Sequence, residues 1–199
     1  MTGERSHLHV GDINNLIRTV VIGTSCSGKT TFAADLAMRM NAPHIELDQL
    51  HWLPNWQERP EEEFRARVRE ATDSERWVID GNYGVVRDIT WRRATAIVWL
   101  DYSFAVVFGR ALRRSVTRLI ARAELFAGNR ESFRKTFLSR DSILLWVLMT
   151  YQRRRREYPD LFRKPEYSHL QIHRLSNPSS ASTFLTEIQM VGSRKLRWE

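Results

Sequence analysis

Short apolar, β-prone runs alternate along this 199-residue chain with longer stretches in which apolar positions return every three or four residues. The short runs, Thr19 to Ile22, His44 to Leu47, Trp77 to Asp80, Ala96 to Leu100 and Leu170 to His173, each predict a strand. Between them, Lys29 to Met40 reads as a helix opened by a glycine-rich loop. Pro60 opens another helix that runs to about Thr72. Strands separated by helices predict a mostly parallel sheet of the α/β class. Phe104 to Arg122 and Glu131 to Arg156 read as two long arginine-rich helical stretches. The break between them, around Ala127 to Asn129 with its Gly128, predicts a hinge in a mobile lid. Asn177-Pro178-Ser179-Ser180 supplies a turn and an N-cap for a last helix ending near Gln189. With neither repeats nor low-complexity tracts, the pattern predicts a flexible leader over 1–15, one domain over 16–190 with its lid at about 110–140, and a frayed or surface-laid tail over 191–199.

Composition supports this reading. A hydrophobic share of 42% suffices for one buried core, and 27% charged residues leave a solvated exterior, which argues against disorder. The only cysteine, Cys26, has no internal partner, so nothing in the chain requires an oxidising compartment and a cytoplasmic location is expected. The N-terminus lacks the apolar core of a signal peptide. The longest apolar stretch, Ile143 to Met149, is too short to cross a bilayer, so no membrane association is expected. A net charge of +8 admits polyanions as partners, nucleic acid among them. Much of the excess is arginine between Arg110 and Arg156, whose planar forks suit phosphate, so it points to a phosphate-handling lobe. The scattered histidines give no structural zinc spacing, and no G-x-S-x-G nucleophile motif or nucleic-acid-reading signature appears.

The chemistry is carried by Gly23-Thr24-Ser25-Cys26-Ser27-Gly28-Lys29-Thr30, which matches G-x-x-x-x-G-K-[ST] at every position and stands between an apolar strand and a helix. Glycines let the backbone wrap an anion, and successive N–H groups with the helix N-terminus stabilise phosphate charge. The motif therefore predicts ATP and Mg2+ as ligands, held by Gly23, Ser25, Cys26, Ser27, Gly28, Lys29, Thr30 and Thr31. Lys29 reaches the β- and γ-phosphates and the Thr30 hydroxyl ligates the metal. Cys26 is read as a small residue that fits a tight loop.

Together with this loop, the blocks LDQLHWLPNW, WVIDGNYGVVRD, WRRA, WLD and GNRE resemble the adenylate-kinase-like P-loop family that includes proteins labelled DNA topology modulation proteins. The resemblance covers about residues 18 to 135. It implies a nucleoside-monophosphate-kinase-like fold: five parallel strands in the order 2-3-1-4-5, helices on both faces and a helical, arginine-rich lid. It also implies a phosphotransferase that moves the γ-phosphoryl group of Mg-ATP to a small acceptor, a nucleotide or nucleoside among the options. The alternative is a nucleotide-regulated DNA-binding or topology-modulating protein, or a slow ATPase.

Asp48, just past the second strand, is the expected acceptor-side residue or general base, with a turn or cap role as the alternative. His51 and Trp52 are expected to wall the acceptor, with Trp56 beside them. Asp80 and Asp101 each end an apolar strand, the setting of a carboxylate that holds magnesium through water. Resemblance to the adenylate kinase DG block favours Asp80. The chain departs from that block at Asn82-Tyr83, where those enzymes carry proline and arginine, so Arg87 and Arg93 are expected either to supply the acceptor contact or to pair with surface carboxylates. Arg110, Arg113, Arg114, Arg118 and Arg122 recur at helical spacing, and like charges on one face call for an anion. Arg113 and Arg118 are the expected lid residues that stabilise transition-state charge. The run Arg153 to Arg156 points in all directions on a helix and reads as solvated or nucleic-acid-attracting. By the resemblance, Arg174 to Ser179 lies against the adenine.

Overall fold

A computed structural model describes residues 15–121 and 143–195, with side chains over 15–117 and 147–190. The five-stranded sheet is built from β1 (Arg18–Gly23), β2 (His44–Glu46), β5 (Trp77–Asp80), β6 (Ala96–Leu100) and β7 (Gln171–Leu175). All its pairings are parallel and its order is β2-β5-β1-β6-β7, which in the sheet's own strands is the expected 2-3-1-4-5. Two further strands, β3 (Trp52–Leu53) and β4 (Gln57–Glu58), form a separate antiparallel hairpin. The helices are α1 (Lys29–Met40), α2 (Leu47–His51), α3 (Glu61–Ala71), α4 (Arg87–Arg93), α5 (Phe104–Ala121), α6 (Ile143–Phe162) and α7 (Pro178–Lys195).

Alternation along the strands divides the core in two. Val20, Ile22, Ile79, Ile97 and Trp99 face a layer with Phe64, Val68, Ile89 and Trp91 from α3 and α4. Val21, Val78, Val98 and Leu100 face Phe32 and Leu36 of α1, Val107 of α5 and Phe184 and Ile188 of α7. A strand buried on both faces reads as a continuous apolar run, which is why β1, β5 and β6 are legible in the sequence. Each large side chain so buried contributes about 1.5–3 kcal/mol. Local signals agree with the packing. Asn41 ends α1 in the left-handed region, where its N–H meets the carbonyls of Ala37 and Met38. Three glutamates open α3 and Arg69 closes it, as the helix dipole favours.

Helix α6 joins the two layers. Its Val147 and Tyr151 belong to the layer with Phe32 and Leu36 and its Tyr158 and Leu161 to the layer with Phe64 and Val68, so the helix passes across the sheet instead of lying on one face. It carries Pro159 in its last turn and continues past Arg156, where the sequence pattern placed its end, because Tyr158 and Leu161 are buried there. Helix α7 likewise runs beyond Gln189 into the segment read as a tail. Strand β7 is shifted toward the C-terminus, since Leu170 closes a turn on the Tyr167 carbonyl. Leu47 opens α2 instead of ending β2. The leader over 1–14, Arg122 and the hinge at Ala127 to Asn129 lie outside the described residues. Among the described residues, no helix is long and apolar enough to cross a membrane.

Candidate active site

The P-loop occupies the turn from β1 into α1, at the carboxyl edge of the sheet. Gly28 sits at φ 90°, and a Cβ there would stand 2.9 Å from Arg110 Nη1. Cys26 holds the left-handed region at φ 64°, a conformation uncommon for a residue with a Cβ. The Ser27 N–H donates to the Thr24 carbonyl at 3.1 Å, closing the loop, while the Ser27 hydroxyl is fully buried and makes no hydrogen bond. Lys29 folds back over the loop, its ammonium donating to the Thr24 carbonyl at 3.2 Å. Burial, then the neighbouring Arg154 guanidinium, lowers the Lys29 pKa to about 8 against the opposing pull of Asp80 and Asp48. Ser25 is half-buried and Thr31 exposed at the mouth of the loop.

Asp80 stands at the tip of β5, almost fully buried, with its two oxygens divided between neighbours. Oδ2 accepts from the Thr30 hydroxyl at 2.7 Å and Oδ1 lies 3.0 Å from His44 Nε2. Asp101, also expected as a metal residue, stands at the end of β6 and is differently employed. It is buried and bound by two arginines: Arg155 Nε at 2.7 Å from Oδ1, and the Arg174 guanidinium on Oδ2 with its Nε at 2.8 Å. Arg174 also lies over the Trp99 ring at 4.9 Å.

Asn82 fastens the loop to β5. Its Nδ2 donates to the Gly23 carbonyl, and its Oδ1 accepts from the Gly23 N–H at 3.4 Å and from the Tyr158 hydroxyl at 3.0 Å. Burial raises the Tyr158 pKa to about 12, so this phenol remains a neutral donor. The same Gly23 carbonyl receives Arg154 Nη1 at 3.4 Å.

Of the α5 arginines, Arg110 and Arg114 reach the loop. Arg110 Nη1 donates to the Ser27 carbonyl at 2.6 Å and its guanidinium lies over the Tyr102 ring. Arg114 Nη1 is 4.0 Å from Cys26 Sγ. Arg113 is exposed, and the Arg118 side chain lies outside the described residues. The run at Arg153 to Arg156 is not uniformly solvated. Its outer members are exposed, whereas Arg154 meets the P-loop and Arg155 meets Asp101, because α6 crosses the sheet edge there.

Beyond the loop lies an aromatic cluster around Asp48. The Tyr83 hydroxyl donates to Asp48 Oδ1 at 2.6 Å, and burial, then the Asp48 charge, pushes its phenol well above the ordinary range. The His51 ring stands 4.5 Å from Tyr83, 4.8 Å from Trp52 and 5.0 Å from Phe64, and Trp56 meets Trp52 edge-on at 5.6 Å. Burial lowers the His51 pKa, and its Nδ1 is buried without a hydrogen bond. Arg87 and Arg93, expected at the acceptor or in pairs with carboxylates, are both paired. Arg93 precedes β6 at the amino edge, paired with Asp73 at 3.6 Å, on the opposite side of the sheet from the P-loop. Arg87 is tied to Glu157 at 3.2 Å and lies over Trp91 at 5.0 Å, which links α4 to α6.

A glycine-rich strand-loop-helix turn at the centre of a 2-3-1-4-5 parallel sheet, spanned by an arginine-bearing helix, decides the class of architecture. This is the P-loop kinase fold. Solved structures with that fold align over nearly the whole chain. A shikimate kinase from Bacteroides thetaiotaomicron matches at TM-score 0.50 and 15% identity, covering 88% of this chain and 97% of the other. A shikimate kinase from Aquifex aeolicus matches at TM-score 0.50 and 16% identity, covering 90% and 98%. A gluconokinase from Sinorhizobium meliloti gives TM-score 0.48 at 19% identity, covering 90% and 93%. The two likenesses at TM-score 0.50, at identities this low, establish the shared fold and nothing finer. No protein-family model and no curated protein matches the sequence. The DNA topology label of the resembled family is not carried by these likenesses.

Sequence reading missed His44, Tyr83, Arg154 and Tyr158 beside the loop and Asp48, and named Arg110 only among the helix arginines. The signal for Tyr83 was its place beside the DG block; for Arg154 there was none, since only the path of α6 turns it inward.

Proposed function

We propose that the protein is a phosphotransferase that moves the γ-phosphoryl group of Mg-ATP to a hydroxyl of a small acceptor. The observation that carries this reading is the convergence on one loop of Lys29, the Thr30–Asp80 pair and Arg154, with Asp48 close enough to act on the Lys29 charge. The donor set at the foot of the loop suits magnesium, a hard cation that takes one or two protein oxygens and completes its shell with phosphates and water. Thr30 and Asp80 provide a hydroxyl and a buried carboxylate already in contact, and Ser27 offers a buried hydroxyl without a partner. Magnesium, when bound, neutralises charge on the β- and γ-phosphates. Lys29 and the loop amides of Gly23 to Thr31 hold the phosphate tail. Arg154 brings a second cation to the same end, and Arg110 and Arg114 take the part first assigned to Arg113 and Arg118. Asp48, fixed by the Tyr83 hydroxyl, orients the acceptor hydroxyl and receives its proton. His51 and Trp52 wall the acceptor, while Arg174 to Ser179 flanks the adenine. Positioning and charge neutralisation of this kind are what phosphoryl transfer requires.

The test is transfer of labelled γ-phosphate from ATP to a panel of hydroxyl compounds, run on the parent and on Asp48→Asn. Transfer by the parent and its loss in a variant that still binds ATP is the expected result. Label appearing only as free phosphate, at equal rates in both proteins, would instead mark an ATPase.

A further inference from the structure

We infer that the acceptor is an uncharged, polyhydroxylated ring, either a free sugar or cyclitol or the ribose of a nucleoside, and not a carboxylate or a phosphate monoester. This rests on the kinase reading above and adds the class of molecule that the Asp48 end takes.

Apart from Lys29 at the phosphoryl end and Arg59 beside His51, the fixed charges facing that end, among the described residues, are acidic. Asp48 is half-buried, Glu46 is half-buried two residues before it, and Glu58 lies 3.9 Å from His51. The flanking cations are directed to other partners. Arg59 donates to the Leu50 carbonyl at 2.7 Å and pairs with Glu63. Arg65 forks onto Asp88 at 3.0 and 2.6 Å, and Arg87 holds Glu157. His51 is pushed toward its neutral form, so it adds no charge at neutral pH. Arg154 lies with Lys29 and the Gly23 carbonyl, at the phosphoryl end. An anionic acceptor would therefore surrender its hydration to stand among carboxylates, a juxtaposition that disfavours binding strongly.

Hydroxyl groups meet the opposite reception. Asp48 uses Oδ1 for Tyr83 and keeps acceptor capacity for a substrate hydroxyl. His51 Nδ1 is a buried polar atom without a partner, which a second hydroxyl would satisfy. Trp52, Trp56, His51 and Tyr83 meet edge to face or tilted, a wall suited to the apolar face of a ring. In the reaction the acceptor oxygen forms the new bond to phosphorus and the bond from the γ-phosphorus to the β–γ bridging oxygen breaks. ADP leaves with that electron pair, and the hydroxyl proton passes to Asp48 and then to water.

The experiment offers the full chain Mg-ATP with matched pairs: a neutral hexose against its aldonate, a cyclitol against its carboxylate, and a nucleoside against its 5′-monophosphate. The neutral member of the accepted pair is expected to have kcat/KM at least about tenfold higher, and the pair that responds separates free sugar from nucleoside. In Lys29→Met, which holds the acceptor end intact without turnover, the same neutral compounds should alter tryptophan emission and their anionic counterparts should not. Preference for an anionic member overturns the inference and leaves the kinase reading standing. ATP binding without transfer to, or emission change from, any neutral member overturns it equally. Failure of the parent to bind ATP in calorimetry identifies the kinase reading itself as the fault.

Discussion

Lys29 is the residue on which nucleotide binding turns, and its environment gives that dependence a pH signature. Its ammonium is destabilised by burial and by Arg154, so in the free protein it loses its proton near pH 8 instead of the usual range above 10. A bound triphosphate favours the charged form, hence binding takes up a proton above that pH and affinity falls as pH rises through about 8 to 9. Calorimetric titrations between pH 6.5 and pH 9.5, with Lys29→Ala as the control that lacks the slope and binds roughly tenfold to a hundredfold more weakly, check it. The two strand-tip aspartates make a second comparison. Asp80→Asn is expected to raise the magnesium concentration needed for tight nucleotide binding by about tenfold or more. Asp101→Asn should leave that requirement unchanged and lower stability by about 2 kcal/mol in urea unfolding, because its partners Arg155 and Arg174 can rehydrate. Gly81 sits at φ 144°, and a Cβ there would stand 2.7 Å from that of Leu47, so Gly81→Ala should lower the melting temperature by several degrees, about 1–3 kcal/mol.

Among elements, α6 sets the site apart from a bare P-loop. Its side chains pack with one layer before Arg154 and with the other after Arg155, so those two arginines fall where the helix passes the sheet edge. Arg154→Ala is expected to lower kcat by about a hundredfold with little change in fold, whereas the exposed Arg156→Ala should alter it less than twofold; steady-state kinetics of the two variants decide. The sequence told the arginines apart poorly because four in a row lack any periodicity, and their inward or outward sense depends on which faces the flanking Tyr151 and Tyr158 bury. The apolar strands were readable because burial on both faces demands continuous hydrophobicity. The short α2, α4 and the hairpin were not, since each is held by tertiary contacts such as Leu47 against Gly81.

At the scale of the molecule, a charge of +8 admitted nucleic acid as a partner, yet part of the arginine surplus faces inward to the P-loop and Asp101. Any duplex binding should accordingly be weak and steeply salt dependent, fading between about 50 and 200 mM salt; tight binding that persists at the higher concentration in an anisotropy titration would contradict this. The general fold and the phosphate cradle were legible because a P-loop confines its chemistry to one short segment. The acceptor end was only partly so, since Tyr83 reaches Asp48 and His51 of α2 from a remote segment and distant pairing decided the fate of Arg87 and Arg93. Asn82 has a last implication. By holding both the N–H and the carbonyl of Gly23 while receiving Tyr158, it makes one residue the meeting point of three remote stretches of chain. Anyone transplanting this loop into another scaffold must therefore carry the amide and the phenol with it, because the eight-residue motif alone omits the parts that hold it in shape.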